Sequence, residues 1–183
     1  MARGVDDTAS YLTPGNGDAW GRAVQAAGGR GTQKLRAASR VTAPDWVATA
    51  LNVPSTGPNG TSESVIARRR TMYIDDEPVE LTDSYYPLAI AADTALENPG
   101  RIPGGAVTLL AELGYVAHHA DEAVDLDSHP TPAEAELLGV EPSTRVVRIR
   151  RVVKNKADTP FETMEIVMLP AGRTLHHRVI IEP

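Results

Sequence analysis

Alternating hydrophobic and polar residues recur in short stretches along the chain, a period of two that is typical of β-strands. We predict strands at 32–41, 64–73, 78–86, 115–126, 145–154, 161–168 and 175–181. Acidic residues at 75–77 and a polar segment at 155–159 join two pairs of these strands. Each pair is therefore expected to form a β-hairpin.

Apolar residues at helical spacing mark other stretches. We predict helices at 19–27, 44–52, 88–96, 106–113 and 131–138. The last is the best defined, because Thr131 and Glu134 have the spacing of a capping box, Pro132 occupies the first turn and Gly139 follows the end. Strands outnumber helices and most neighbouring strands are antiparallel, so the expected fold class is α+β, an antiparallel sheet with flanking helices.

The first 31 residues differ in composition from the rest of the chain. They are rich in Gly, Ala and Asp and contain a strong turn signal at 14–17. A short helix within them, capped by Asp18, has only a weak apolar face around Trp20 and Val24. We therefore predict a linker or arm at 1–31 and one folded domain at 32–183.

Two parts of the sequence, at 44–87 and 131–170, resemble each other. Each has a helix, a Leu-x-Val segment, an arginine-bearing strand, a polar turn and a strand that begins with Pro-x-Glu. Pro160 and Glu162 follow Pro78 and Glu80 at the same spacing of 82 residues. The repeat predicts two related halves with a crevice at their junction, where small ligands commonly bind. The alternative is that any two hairpins of mixed polarity look alike.

The arginine-bearing strands carry the candidate binding residues. Alternate strand residues share a face, so Arg68 and Arg70 form one pair and Arg148 and Arg150 form a second. Guanidinium groups are planar, forked donors, which suits a small, polar, anionic metabolite. Hydroxyl and carboxylate groups on the return strands complete the candidate set: Glu80, Ser84, Tyr86, Glu162 and Glu165. The alternative is that arginines and carboxylates pair across strands on a solvated face of the sheet.

Composition narrows the possible functions. The chain has 183 residues, no cysteine and a formal net charge of −6. Without cysteine there is no disulfide or cysteine zinc site, and the histidines lack the spacing of metal ligands, so we expect neither a metal nor a cofactor. The chain alone is not expected to bind DNA, because phosphate contacts need a basic surface. It has no apolar run near the ~20 residues that span a bilayer and no signal peptide, so we expect a cytoplasmic protein.

Several motifs taken together resemble the UTRA domain, the effector-binding domain of the HutC subfamily of GntR-type regulators. They are the run IARRRTMYIDDEPVE at 66–80, DSYYP at 83–87, IPGG at 102–105 with LLAELGY at 109–115, TPAEAELLGV at 131–140, and Arg150-Arg151 ahead of Pro160-Phe161-Glu162. The resemblance covers about residues 32–181, nearly the whole chain.

The resemblance implies a chorismate lyase-like fold and, in most cases, a homodimer. Such domains bind small metabolites and change how an N-terminal winged-helix domain binds operator DNA. By resemblance, the pocket draws on Arg68 and Arg70, on the segment Ser84-Tyr85-Tyr86, and on the strand that carries Glu162 and Glu165.

The sequence departs from the family pattern in three places. Met72 stands where family pockets often carry a second arginine, which argues against a sugar phosphate as the ligand. The turn is Asp75-Asp76, where the family commonly has Asp-Gly. The winged-helix domain is absent from these residues. We interpret this absence as trimming rather than as a gene that encodes a sensor alone.

The leading hypothesis is therefore a sensing and dimerising domain of a transcription regulator, and not an enzyme. One alternative is an enzyme of the chorismate lyase type, which shares the fold and also holds a carboxylated ligand with arginines. A shared fold is weak support for shared chemistry. Another alternative is a dimerisation module whose pocket no longer binds a ligand.

Overall fold

The computed structural model describes residues 12–15, 18–54, 64–171 and 173–175 of the chain. Its strands are β1 (Gly31–Val41), β2 (Val65–Ile74), β3 (Glu77–Pro87), β4 (His119–Ser128), β5 (Val146–Lys154) and β6 (Pro160–Met168). Its helices are α1 (Ala19–Ala26), α2 (Asp45–Leu51), α3 (Leu88–Ala91), α4 (Ala106–Glu112) and α5 (Pro132–Leu138). These strands form one antiparallel sheet in the order β1-β2-β3-β6-β5-β4, which confirms the expected fold class. No helix among the described residues is long and apolar enough to cross a membrane.

Local sequence determines several of these elements. The capping box that the sequence predicts at the start of α5 is confirmed, because Thr131 and Glu134 each accept a hydrogen bond from the other's backbone N–H. The β2–β3 hairpin turns at Asp75 and Asp76, whose φ angles are 50° and 70°. Two positive φ angles are what a type I′ hairpin turn requires, and here two aspartates adopt them without a glycine.

The helix expected at 88–96 ends early, at Ala91. The next residue, Ala92, has extended backbone angles (φ −60°, ψ 142°). The carbonyl groups that follow, at Ala95, Leu96, Asn98 and Gly100, accept hydrogen bonds from the Arg68 guanidinium at 2.7–3.3 Å. A buried arginine thus replaces the helical hydrogen bonds that the apolar pattern suggested.

Two strand predictions also change. The strand expected at 115–126 begins only at His119, because the Tyr115 N–H donates to the Leu110 carbonyl and so closes the end of α4. Of the strand expected at 175–181, only Leu175 falls within the described residues, and it is not part of a strand.

The sheet has two related halves, as the repeat predicts. β3 and β6 pair at its centre, β2 and β5 flank them, and β1 and β4 form the edges. Asp83 of β3 lies opposite Glu165 of β6. These two residues are separated by the 82-residue spacing of the repeat. A local two-fold axis therefore passes through this pair.

The strand register also determines which arginines are equivalent. Arg69 lies opposite Asp83 and Arg150 lies opposite Glu165. The equivalent arginines are therefore Arg69 with Arg150 and Arg70 with Arg151. Arg148 has no arginine counterpart, since its equivalent position in the first half is Ala67.

Strand alternation gives the sheet two different faces. One face carries Arg70, Glu80 and Glu162. It is covered by α1, α3, α4 and the residues between α3 and α4. We call it the cavity face. The other carries Asp83 and Glu165 and is packed by α2 and α5, and we call it the ion-pair face.

Helix α1 packs on the cavity face. Asp18 caps it as expected, since its carboxylate accepts the Gly21 N–H at 3.0 Å. Trp20 and Val24 are buried against Met72 and Ile74 of β2. This part of the predicted arm therefore contributes to the folded body, while the domain boundary at residue 31 stays a prediction.

Candidate ligand-binding site

Two adjoining hollows lie on the cavity face, between the sheet, α1 and the start of α4. The first, of about 220 Å³, has a largely apolar lining, and we call it the apolar cavity. The second, of about 470 Å³, is lined by more polar groups, including Arg68 and Arg101, and we call it the polar hollow. Asp18, Gln33, Arg70 and the segment 104–106 border both.

Four strands supply most of the apolar cavity. Alternate residues of an extended strand point to the same side, so each strand contributes every second side chain. The contributed residues are Arg70 and Met72 of β2, Glu80, Thr82, Ser84 and Tyr86 of β3, Ile149 and Arg151 of β5, and Glu162, Met164, Ile166 and Met168 of β6. Other walls come from Leu12, Trp20, Val107, Arg173 and Leu175.

Glu162 and Tyr86 form a hydrogen-bonded pair within this lining. The Tyr86 hydroxyl donates to Glu162 Oε1 at 2.7 Å, and both side chains are buried. Burial raises the pKa of the Glu162 carboxyl, while the Tyr86 hydrogen bond and the charges of Arg70 and Arg151 lower it. Burial also raises the pKa of Tyr86, so its hydroxyl stays protonated and remains a donor.

Glu80 forms an ion pair with Arg173, which follows β6 in the chain. Arg173 Nη1 lies 2.7 Å from Glu80 Oε2, and its guanidinium stacks 5.1 Å from the centre of the Trp20 ring. Thr82 also donates to Glu80, at 3.0 Å. The second terminal nitrogen of Arg173, Nη2, is buried without a hydrogen-bond partner among the described residues. It is a donor that a ligand oxygen can satisfy.

Arg151 is the arginine equivalent to Arg70 in the second half. Its side chain is almost fully buried, and Nε donates to Glu122 Oε1 at 2.5 Å. Its Nη1 also approaches the Met164 sulfur at 3.8 Å. Glu122 of β4 therefore compensates the charge of Arg151.

Arg70 differs from the other two arginines that line the apolar cavity. It is half-buried, and its guanidinium has neither a hydrogen bond nor an ion pair within 4 Å among the described residues, whereas Arg151 and Arg173 each contact a carboxylate. It also borders both hollows. A partly desolvated guanidinium without a partner gains more from an incoming anion than one that is already paired.

Arg68, two residues earlier on the same strand face, is occupied in a different way. Its side chain is buried, and its guanidinium donates to backbone carbonyls of the segment 95–100. Burial lowers the pKa of Arg68, and the charge of Arg70 lowers it further. Arg68 thus holds one wall of the polar hollow in place.

The arginine pair of the second half lies on the ion-pair face. Arg148 contacts Glu134 at 2.9 Å and Glu165 at 3.0 Å, and Arg150 contacts Glu165 at 2.9 Å. Arg148 and Arg150 share one face of β5, and Arg151 lies on the other. Since Arg151 lines the cavity, Arg148 and Arg150 point away from it. The contacts of Arg148 and Arg150 with Glu165 are therefore those of the alternative interpretation, in which arginines and carboxylates pair across strands.

Tyr85 lies on the same ion-pair face. Its ring meets Trp46 of α2 edge-on, with 5.6 Å between ring centres, and Arg150 stacks 4.6 Å from the centre of the Trp46 ring. Burial raises the pKa of Tyr85, and the neighbouring charge of Asp83 raises it further. Tyr85 therefore packs a helix onto the sheet.

The structure thus divides the residues selected from the sequence. Those that line the apolar cavity are Arg70, Glu80, Ser84, Tyr86 and Glu162. Arg68 borders the polar hollow. Those on the ion-pair face are Tyr85, Arg148, Arg150 and Glu165. A role in effector binding stays a prediction for all of them.

Sequence reasoning missed several lining residues. Arg151 could have been predicted from the sequence. It lies on the opposite strand face from Arg148 and Arg150, and it is equivalent to Arg70 in the repeat, so both signals point to the cavity face. Trp20 and Arg173 were not, since they lie outside the repeat and reach the cavity only through tertiary packing. Among the described residues, no group of three or more His, Asp or Glu side chains is placed to hold a metal ion.

Comparison with known proteins identifies the family. The model of the family described as the UTRA domain matches residues 26–170. The chain belongs to the UTRA family. A comparison of this UTRA domain with curated proteins gave no match.

Solved structures similar to this UTRA domain share its fold. One, assigned as the ligand-binding domain of a GntR-family transcriptional regulator from Bordetella bronchiseptica, has 24% identity and a TM-score of 0.68, with 84% of this chain and 90% of that chain covered. The effector domain of PhnF from Mycobacterium smegmatis has 20% identity and a TM-score of 0.70, with 88% and 94% covered. The longer PhnF structure has 20% identity and a TM-score of 0.72, with 89% and 68% covered.

Proposed function

We propose that this UTRA domain is the effector-sensing and dimerising part of a GntR-type transcription regulator of the HutC subfamily. Its effector is a small anionic metabolite that binds at the two hollows of the cavity face. The observation that carries the proposal is Arg70, a half-buried cation that borders both hollows and has no carboxylate within 4 Å among the described residues. An anionic ligand supplies that partner.

The comparisons support a regulatory role. The chain covers 94% of the effector domain of PhnF but 68% of the longer PhnF chain. We propose that operator binding by this regulator belongs to residues outside the matched region, in an N-terminal winged-helix domain. A formal net charge of −6 agrees with this division, because DNA binding requires cations for the phosphates.

Helix α1 offers a route from the effector to the DNA-binding part. It precedes the sheet, and its Trp20 lines the apolar cavity and stacks on Arg173. A ligand that contacts Trp20 therefore bears directly on the segment nearest to a preceding domain. Occupancy shifts the regulator only if the ligand binds two arrangements of α1 with different affinities.

We further propose that the regulator acts in the cytoplasm, where operator DNA lies, and that the domain catalyses no reaction. The polar groups of the cavity suit binding rather than turnover. Glu80 and Arg151 are held in ion pairs, and Glu162 is engaged by Tyr86. No metal or cofactor is required by this account.

A thermal-shift screen of metabolites tests the sensing role. A ligand at one hundred times its Kd stabilises the folded state by about 2.7 kcal/mol, which is a measurable change in Tm. We expect anionic metabolites to raise the Tm of the native chain and of the Arg150→Ala variant, and to have little effect on Arg70→Ala. An equal response in Arg70→Ala removes Arg70 from the site.

A gel-shift experiment tests the division of labour. The 183-residue chain alone should not retard operator DNA at physiological salt. Tight, salt-resistant binding by this chain would contradict the proposal that operator contacts lie elsewhere.

A further inference from the structure

We infer that the effector is a monocarboxylate with an apolar body of roughly seven to ten heavy atoms, sized to the apolar cavity. Its carboxylate binds Arg70 at the junction of the two hollows, and its body lies on the methionine-rich floor. The inference rests on the proposed function, because it takes the effector to occupy this site. It makes the ligand less polar than the sequence pattern predicts.

The charges of the apolar cavity favour one negative group rather than two. Arg173 is paired with Glu80 and Arg151 with Glu122, so Arg70 is the lining arginine that has no carboxylate within 4 Å among the described residues. The charge of Arg70 acts on Glu162 only from a longer distance. One guanidinium matches one carboxylate through two parallel hydrogen bonds. The lining also contains the carboxylates of Asp18, Glu80 and Glu162, so a second negative group would find, among the described residues, no further lining arginine without a carboxylate within 4 Å.

The floor of the apolar cavity favours a hydrocarbon body. Met72, Met164, Met168 and the flanking Ile149 and Ile166 present thioether and alkyl groups. Methionine is flexible and polarisable, so this floor adapts to aryl and branched alkyl shapes. Sugar hydroxyl groups placed against it would give up their hydration without gaining hydrogen-bond partners, which is costly.

The cavity volume sets the size of that body. The apolar cavity measures about 220 Å³. An apolar protein cavity of roughly 150 Å³ accommodates benzene, so the larger volume suits an aryl ring with a short side chain or an alkyl chain of similar bulk.

The polar hollow sets the orientation. Arg70 borders both it and the apolar cavity, and Arg68 and Arg101 add two positive charges to a lining whose one carboxylate among the described residues is Asp18. The carboxylate is therefore stabilised on the side of Arg70 that faces the polar hollow, and the apolar body extends away from it towards the methionine floor.

Calorimetric titration of the full chain with two matched panels tests this assignment. The first panel holds straight-chain, branched and aryl monocarboxylates of six to thirteen heavy atoms, each with its neutral amide as control. The second holds hexose and aminohexose phosphates together with inorganic phosphate. Each binder is repeated with Arg70→Gln and with Arg150→Gln, whose arginine lies on the opposite face.

We expect a monocarboxylate to bind best, its amide to bind at least tenfold more weakly, and Arg70→Gln to cost at least tenfold in affinity while Arg150→Gln costs less than twofold. If only phosphates bind, and bind through Arg70, the ligand class is wrong and the proposed function survives. If a carboxylate binds equally well to Arg70→Gln, its placement is wrong. If no member of either panel binds, the inferred ligand class is wrong. If the metabolite screen also gives no thermal shift, the proposed function is wrong as well.

Discussion

Asp83 and Glu165 lie directly opposite each other at the centre of the sheet, although both are acidic. Each half supplies two arginines to its own acid: Arg36 and Arg69 contact Asp83 at 2.6 and 3.2 Å, and Arg148 and Arg150 contact Glu165 at 3.0 and 2.9 Å. Burial raises the pKa of Asp83, Arg36 and Arg69 oppose that effect, and the charge of Glu165 adds to it. The pair marks the local two-fold axis and is held by the ion pairs of the ion-pair face.

This arrangement predicts non-additive mutations. Asp83→Asn should destabilise the fold by about 1 to 3 kcal/mol, because it leaves Arg36 and Arg69 without their carboxylate. Glu165→Gln should cost about 1 kcal/mol, because Arg148 keeps Glu134 and Arg150 is exposed to solvent. Each single variant also relieves the repulsion between the two acids, and the double variant relieves it only once. The double variant should therefore lose about 0.5 kcal/mol more than the sum of the singles in urea unfolding. Additive or smaller losses would contradict the repulsion.

Glu162→Gln should change the pH dependence of stability. Burial raises the pKa of Glu162 above its ordinary value of 4.5, so the folded chain binds this proton more readily than the unfolded chain. The stability of the native protein therefore falls as pH rises from about 4.5 through the folded pKa. Glutamine keeps an acceptor for the Tyr86 hydroxyl but does not ionise.

The variant should therefore be more stable than the native chain at pH 7 and lose this advantage as pH falls to 4. Urea unfolding at pH 4, 5.5 and 7 measures the difference. An advantage that grows on acidification would show that Glu162 is stabilised as the carboxylate.

Arg68→Ala should release the segment that forms the wall of the polar hollow. It removes charge-assisted hydrogen bonds to the carbonyls of residues 95–100 and leaves some of them unsatisfied, a loss of about 3 kcal/mol. Amide hydrogen exchange should rise across 93–101 and remain unchanged in α5. Arg101→Ala, at an exposed position of the same wall, serves as the control. Unchanged exchange in Arg68→Ala would contradict the clamping role.

Gly31→Ala should displace α1. A Cβ at Gly31 would lie 2.9 Å from the Val24 Cβ and 3.1 Å from the Gly21 Cα, so helix and strand must separate. We expect a loss of about 1 to 3 kcal/mol, as for other overpacked contacts. Gly100→Ala, whose Cβ would meet nothing within 4 Å, should have little effect on the free energy of unfolding. Equal stability of both variants would show that α1 is loosely attached.

Much of the fold was predictable because its signals are local. Alternation gave the strands of both hairpins, and the capping box at Thr131 placed α5. The spacing of the repeat gave the two related halves. Each of these features depends on residues close in sequence or on their periodicity.

The candidate site was predictable only in part, because alternation sorts residues into two faces without stating which face is enclosed. Arg148 and Arg150 share a face, but only tertiary packing shows that α2 and α5 cover it. Arg68 and Arg70 share the other face, yet the segment beyond α3 occupies Arg68 and leaves Arg70 open. Trp20 and Arg173 enter from outside the repeat and carry no periodic signal.

Tryptophan fluorescence reports on the cavity directly. The chain has two tryptophans: Trp20 lines the apolar cavity, and Trp46 packs on the ion-pair face. In a Trp46→Phe variant, emission comes from Trp20 alone. Trp20→Phe provides the converse reporter, in which emission comes from Trp46.

The most direct test is therefore to titrate Trp46→Phe with the best anionic binder from the metabolite screen. We predict a saturable change in Trp20 emission whose midpoint equals the calorimetric Kd, and its loss when Arg70→Gln is added. Binding that leaves Trp20 emission unchanged, while Trp46 responds in the converse variant, would place the ligand on the opposite face and contradict the account.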